Sequence, residues 1–484
     1  MTRGHALNTK AVSKKPVIGI VGAGVAGTTI ALYLSQHYRC EVRLLDKNDT
    51  VVNGPPICHL HAGGNLYREI PDEECLALLE QSVETLRFYP HCANVRPTVL
   101  AVPTRDPGSV DDLLPRLAKL QQRYQALIDE DPANAVLGPA EAYYRLYTRA
   151  QMAQLAGQPL PRTPLSADDW MIPVARSLDF NRVKWPLIQV QEYGLSVFRL
   201  AANASLALAN QPNCQVLLNT RVTGLRPQAQ GWQLQAEKSG KVTAPLTVDY
   251  LVNAGGHRSG ELDDWAGLRR PRWVEFKAAY LTRWSDVPGN WPELVFHGAR
   301  GTPEGMAQLT PYADGHFQLH GMTDEITLFP GGLSASTDQS AQPVLAPLLA
   351  RKLSQGWQAG EIGQRSRRAI AHLAHFIPAF ASAEVAGKPL FGAQQIPGSN
   401  ADLRAAGISF AGHDYARAEI VKANSALPVA RALAEYLMAQ GRLQPLSRPW
   451  QTALSADAVE RTACELALRR DYPEALARRT GQSL

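Results

Sequence analysis

The chain has 484 residues, 45% of them apolar and 19% charged, a composition ordinary for a soluble protein and a length that points to more than one domain. Its formal net charge of +5 is carried without a dense basic run interleaved with aromatics, which argues against a nucleic-acid partner. Six cysteines, at positions 40, 58, 75, 92, 214 and 464, show neither a C-x-x-C pair nor zinc-ligand spacing, so no metal centre is expected and a reducing, cytoplasmic compartment fits best.

In chain order, the first fifteen residues carry Arg3, Lys10, Lys14 and Lys15 with no apolar run behind them, and are expected to be a frayed tail rather than a signal peptide. Residues 17–22 read as a buried parallel strand, 23–37 as a helix packed closely on it and 40–45 as a second strand, which together make one βαβ-like unit. The glycines at 19, 22, 24 and 27 suit that reading better than a membrane span over 17–34.

Helical spacing recurs over 73–87, with Asp72 as a cap, and again over 109–130 and 139–155, an excursion away from the nucleotide fold. The pattern returns with a helix over 196–210, strands at 215–218 and 222–225, a hairpin around Gly231-Trp232 and a strand over 249–253. Residues 272–330 are rich in aromatic and β-branched types, with turn signals at Pro288-Gly289-Asn290 and Ala313-Asp314-Gly315, and read as an antiparallel sheet. Helices are expected at 341–355 and 365–380, then a short strand at 407–410 running into Ala411-Gly412-His413, a helix to about 440 and a last one over 456–468.

The motif that carries chemistry is Gly22-x-Gly24-x-x-Gly27 between strand and helix. Gly22 permits the tight turn, Gly24 lets backbone approach a pyrophosphate, and Gly27 lets helix and strand touch. The positive end of the helix then faces the phosphates, and Asp46 ends the second strand where a carboxylate accepts bonds from ribose hydroxyls. Dinucleotide binding follows, with Ala23, Val25, Ala26 and Lys47 as neighbouring contacts; the alternative is a glycine-rich turn without function.

Further motifs are His61-Ala62-Gly63-Gly64, Glu192-Tyr193-Gly194 ahead of a helix, Thr220-Arg221-Val222-Thr223-Gly224-Leu225, Val252-Asn253-Ala254-Gly255-Gly256 and Phe410-Ala411-Gly412-His413. With the glycine turn and Asp46, they resemble the D-amino acid oxidase family of FAD-dependent oxidoreductases, which includes glycine oxidase and relatives acting on 2-hydroxy acids. The resemblance implies FAD as cofactor, with contacts from His61, Ala62, Gly63, Val222, Ala254, Gly255, Gly256, Gly412 and His413. It also implies a final helix whose positive end meets the flavin N1 and O2. No second G-x-G-x-x-G is found, so the reductant is expected to be the organic substrate. Amine-oxidising relatives carry a carboxylate-binding arginine in a Gly-x-Arg-Pro segment, and the counterpart here, Gly392-Ala393-Gln394-Gln395-Ile396-Pro397, has none.

Oxidising a CH–OH or CH–NH bond needs a base for the heteroatom proton, and His61 and His320 are the catalytic candidates. His61 contacts the flavin, links to it covalently, or makes a structural hydrogen bond. His316 and His320 share one face of an expected strand; if that face points inward His320 serves the substrate, and if outward both histidines are solvated. Tyr312, Gln318 and Arg404 are candidate substrate contacts, with a surface arginine the plainer reading of Arg404. Arg365, Arg367 and Arg368 either solvate a helix or meet an acidic lipid surface, membrane association being the less favoured.

The fold class expected is α/β: a Rossmann-like FAD-binding domain built from segments 16–95, 191–270 and 386–440, with a second, substrate domain on a mixed or antiparallel sheet. That second domain takes 271–385 and part of a helical excursion over 96–190, and 441–484 forms a C-terminal helical tail. The expected reaction removes two electrons from a small polar substrate, a 2-hydroxy acid or amine, and passes them to oxygen or a quinone. A flavin-binding subunit or sensor without turnover, and an NAD-dependent dehydrogenase, are the alternatives.

Overall fold

Why Val17–Val21 becomes the middle of a sheet is written in its residues: five consecutive positions without a charge, four of them buried, leave no face for water. The computed structural model describes residues 15–54, 70–403, 406–449 and 453–480. In it, Val17–Val21 pairs in parallel with Glu41–Leu45 on one side and Tyr250–Asn253 on the other, so that Ile20 lies between Leu44 and Val252. Cys214–Leu217 extends the sheet beyond Glu41–Leu45, and Tyr415–Ala418 extends it beyond Tyr250–Asn253, both in parallel. The antiparallel strand Ile408–Ala411 closes the far edge.

The helix Val25–His37 is apolar nearly all round, because it is covered on both sides. It packs between the sheet and the helix Ala426–Ala439, with Val197–Ala209 alongside. Thus segments far apart in sequence share one core.

The second sheet is mixed. Arg272–Arg283 pairs antiparallel with both Leu390–Pro397 and His316–Gly321, and His316–Gly321 is followed across the sheet by Ala307–Pro311 and Glu293–Phe296. Glu293–Phe296 then runs parallel to Thr98–Ala101, and Leu187–Val190 and Tyr144–Tyr147 complete that side. The excursion over 96–190 therefore supplies three strands as well as helices. Within it, the helical pattern expected over 139–155 is broken by the strand Tyr144–Tyr147, and helix resumes only at Arg149–Ala156, under a Thr148–Gln151 capping box. Asp72 is the first residue of the helix Asp72–Phe88 rather than its cap, and its carboxylate instead pairs with Arg116 at 2.7 Å and Lys119 at 2.6 Å.

The two sheets are joined by a buried polar knot. Asp263, on the helix Ser259–Ala266, accepts hydrogen bonds from the Tyr415 hydroxyl and Arg417 Nε, both at 2.8 Å, and pairs with Arg272 at the start of the second sheet. All four side chains are buried. A charge set of this kind is held by its own geometry, and removing one member strands the others.

The C-terminal helix Ala456–Arg469 lies against Val197–Ala209. Just beyond it, Arg470 donates to Thr50 Oγ1 at 3.0 Å and to the carbonyls of Val51 at 2.7 Å and Val52 at 3.1 Å. Among the described residues no helix is long and apolar enough to cross a membrane.

Candidate active site

A cavity of about 410 Å³ runs from the carboxyl ends of the parallel strands to the face of the second sheet. At one end stand Gly22, Gly24, Val25 and Ala26. Gly22 has φ +107°, and a Cβ there would lie 2.2 Å from the Ala254 carbonyl oxygen; at Gly27 it would lie 1.9 Å from that of Gly22. Those two glycines are required by the protein's own backbone. At Gly24 a Cβ would meet no atom of the described residues within 4 Å, so the space beside it is open to a ligand. The first-turn amides of the helix beginning at Val25 have no partner inside the helix, and this end carries its positive pole.

Ala23 and Gly27 sit behind this wall. The Ala23 amide donates to Asp46 Oδ2 at 2.6 Å and the Asn48 amide to Oδ1 at 2.8 Å, which fixes the carboxylate at the cavity edge. Burial raises the Asp46 pKa, against the lowering effect of those bonds and of Lys47. Lys47, Arg221 and Arg258 surround it along the same wall, and burial followed by the charges of Arg258 and Arg221 lowers the Lys47 pKa. His257 joins them; burial, with the charges of Lys47 and Arg258, pushes its imidazole down to about 4, so it is neutral near pH 7. Val222, Ala254, Gly255 and Gly256 complete this part.

At the other end the second sheet presents Lys277, Gln308, Gln318 and His320. His320 stands opposite Gln308 in the antiparallel register, and its face points inward to the cavity. His316 does not reach the cavity wall; it lies at the turn, with its ring within 3.3 Å of the Ala313 carbonyl. Tyr312 stands behind Gln318, its hydroxyl donating to Oε1 at 3.4 Å, and is not part of the wall.

The last wall is the segment from Ala418 to Asn424, leading into the helix Ala426–Ala439. Gln394 donates to the Val421 carbonyl at 2.7 Å and Gln395 to that of Ala418 at 3.2 Å, tying the second sheet to this segment.

This corrects the expectation for Gly412 and His413. They lie in the turn between Ile408–Ala411 and Tyr415–Ala418, with Gly412 and Asp414 at positive φ, at the edge of the sheet opposite the cavity. The strand that leads to the final helix is the second arm of this hairpin, so residues 418–424 stand where Gly412 and His413 were expected. His61, Ala62, Gly63 and Arg404 lie outside the described residues. Lys277, Gln308, Gln394, His257 and Lys422 line the cavity without having been singled out; only Gln394 belonged to a quoted motif, and there it marked a missing arginine. Arg365 is held internally, donating to the Ile326 carbonyl at 2.8 Å and lying over the Phe329 ring.

A family model described as an NAD(P)-binding Rossmann-like domain matches residues 20–52. No curated protein matches the chain. Among solved structures, glycine oxidase from Geobacillus kaustophilus is 15% identical with a TM-score of 0.52, over 91% of this chain and 97% of that one. L-proline dehydrogenase from P. horikoshii is 14% identical with a TM-score of 0.54, over 95% and 99%. L-α-glycerophosphate oxidase from Mycoplasma pneumoniae, solved with FAD bound, is 13% identical with a TM-score of 0.57, over 91% and 100%. At these identities the likeness is one of architecture, and the chain shares the two-domain fold of these proteins.

Proposed function

We propose that this protein binds FAD and oxidises a small polar substrate, a 2-hydroxy acid or an amine, with the electrons passing on to oxygen or a quinone. The observation that carries the reading is the continuity of one cavity: a glycine turn and Asp46 at one end, a polar sheet face with His320 at the other. When bound, FAD supplies a hydride acceptor at its N5.

The residues fit that group. The open side of Gly24 and the positive end of Val25–His37 suit a pyrophosphate, and Asp46 suits the ribose hydroxyls. Residues 418–424 bring the start of the helix Ala426–Ala439 to the other end of the cavity, where its positive pole favours negative charge. His320 takes the proton from the substrate's hydroxyl or amine, with Gln308 and Gln318 orienting the polar groups around it. The scattered spacing of the six cysteines supports a reducing, cytoplasmic setting.

The purified protein is expected to be yellow, or to turn yellow on adding FAD, and to bleach without air when the right hydroxy acid or amine is supplied. Rapid return of colour in air identifies an oxidase, and slow return a dehydrogenase. A colourless protein that takes up no flavin defeats the reading and favours the NAD alternative; a yellow protein that no substrate bleaches favours a flavin-binding scaffold.

A further inference from the structure

We infer that Arg470, just beyond the C-terminal helix Ala456–Arg469, is a positioning residue for the cofactor: it holds Val52 in the left-handed backbone conformation from which the cavity wall is built. The inference rests on the proposed function and adds the C-terminal tail to the cofactor site.

Val52 is buried, with φ +54°. Glycine takes that conformation freely, but a β-branched side chain crowds its own backbone there, and the arrangement persists only where neighbours enforce it. Here the peptide groups on both sides of the Val52 Cα are gripped. Arg470 Nη2 donates to the Val51 carbonyl at 2.7 Å and to Thr50 Oγ1 at 3.0 Å, while Nη1 donates to the Val52 carbonyl at 3.1 Å. The Val52 amide donates to the Ala23 carbonyl at 2.7 Å, which ties the same residue to the glycine turn.

Val52, Asn53 and Gly54 line the cavity. A change of sign in φ at Val52 redirects the chain that follows it, so the clamp decides whether Asn53 and Gly54 stand in the wall. The acceptors at Thr50, Val51 and Val52 are neutral, and Arg470 therefore acts through the direction of its donors. A rigid guanidinium fork can bridge two peptide groups in this way, whereas an ammonium is a single point.

Arg470 is itself held in place. Its amide donates to the carbonyls of Leu466 and Ala467, both at 3.1 Å, and its guanidinium lies 5.7 Å from the centre of the Phe198 ring. Further along the tail, the buried Arg199 donates to the carbonyls of Ala477 at 3.0 Å and Arg478 at 2.7 Å. The tail is thus anchored on the helix Val197–Ala209 and reaches from there to the cavity wall.

The test titrates FAD into the flavin-free full chain of wild type, R470M, V52G and the double variant, read by quenching of flavin fluorescence. R470M should weaken FAD binding by roughly tenfold or more, because Val52 relaxes and only a fraction of the chains then holds the binding-competent backbone. In the V52G background the same substitution should cost about threefold at most, since glycine needs no clamp to keep a positive φ. Amide exchange of the flavin-free proteins gives a readout without ligand: the Val52 amide should exchange faster in R470M, while those of Ile20 and Val252 in the central sheet keep their protection.

Equal losses of affinity in the two backgrounds make Arg470 general structural support and overturn the inference, as does unchanged affinity or unchanged Val52 exchange in R470M. Should R470M fail to fold, R470K takes its place under the same outcomes, because it keeps the charge and loses the fork. A wild type that binds FAD beside an unaltered R470M removes this inference alone, whereas a wild type that takes up no FAD removes the function beneath it as well.

Discussion

Asp46 accepts the backbone amide of Ala23 at 2.6 Å, so the carboxylate at the end of the second strand also braces the glycine turn that follows the first. Replacing it affects binding and scaffold together. D46A is expected to weaken FAD binding by roughly tenfold or more and to lower the melting temperature of the apoprotein, since a charge-assisted bond to a partly buried amide is lost. Retention of flavin through gel filtration and thermal melts read the two effects, and unchanged flavin affinity in D46A argues against the carboxylate's role at the ribose.

Gly24 and Gly27 make opposite predictions. G27A forces a methyl group into the Gly22 carbonyl and should destabilise the apoprotein by about 1–3 kcal/mol or more. G24A meets no atom of the described residues, so the apoprotein should melt as wild type does while FAD affinity falls. Paired melts with and without FAD separate the two; equal behaviour of both variants contradicts the assignment of the open space to the cofactor.

H320Q should reduce turnover by about 10²–10⁴-fold while leaving flavin content intact, the range for a lost general base. The reduction rate of the flavin, followed in anaerobic stopped-flow against pH, is the measurement. A variant that reduces as fast as wild type removes His320 from the reaction.

His257 sets an acid limit to apoprotein stability. Its imidazole is held at about 4, by burial first and then by Lys47 and Arg258, against an ordinary 6.5. The unfolded chain therefore binds the extra proton first, so this contribution is complete above pH 6.5 and is lost as pH falls toward 4, by roughly 3 kcal/mol at most. Glu275, held at about 2 by Lys277 and Arg300 in spite of its burial, gives up its share only below about 4.5. Urea unfolding of the apoprotein between pH 7 and pH 4.5 should show a slope that H257Q flattens.

Arg272 and Asp263 are both fully buried where the two sheets meet. R272M should cost about 3–5 kcal/mol, because Asp263 is then left partly uncompensated in the interior. A melting temperature within a degree of wild type is the result that contradicts this.

The glycine turn, its helix and Asp46 were legible because their chemistry is local, with every demand met inside thirty residues by a residue type that few others replace. Thr98–Ala101 and Leu187–Val190 were not, since four buried residues give no period by which strand differs from helix. The hairpin at Gly412 misled for another reason. Two short apolar runs flank the turn, and only the pairing of Tyr415–Ala418 with Tyr250–Asn253 decides which of them feeds the helix. Lys277 was invisible in the same way, as its place on the wall comes from a cavity that distant segments enclose.

The strand Val17–Val21 is tethered by its first amide to Asp249, 232 positions later. A growing polypeptide emerging from the ribosome therefore presents the dinucleotide turn long before its neighbouring strand exists, and the far wall, at 418–424, comes later still. A ligand that fills the cavity can therefore be enclosed on all sides only once residues 418–424 have been made.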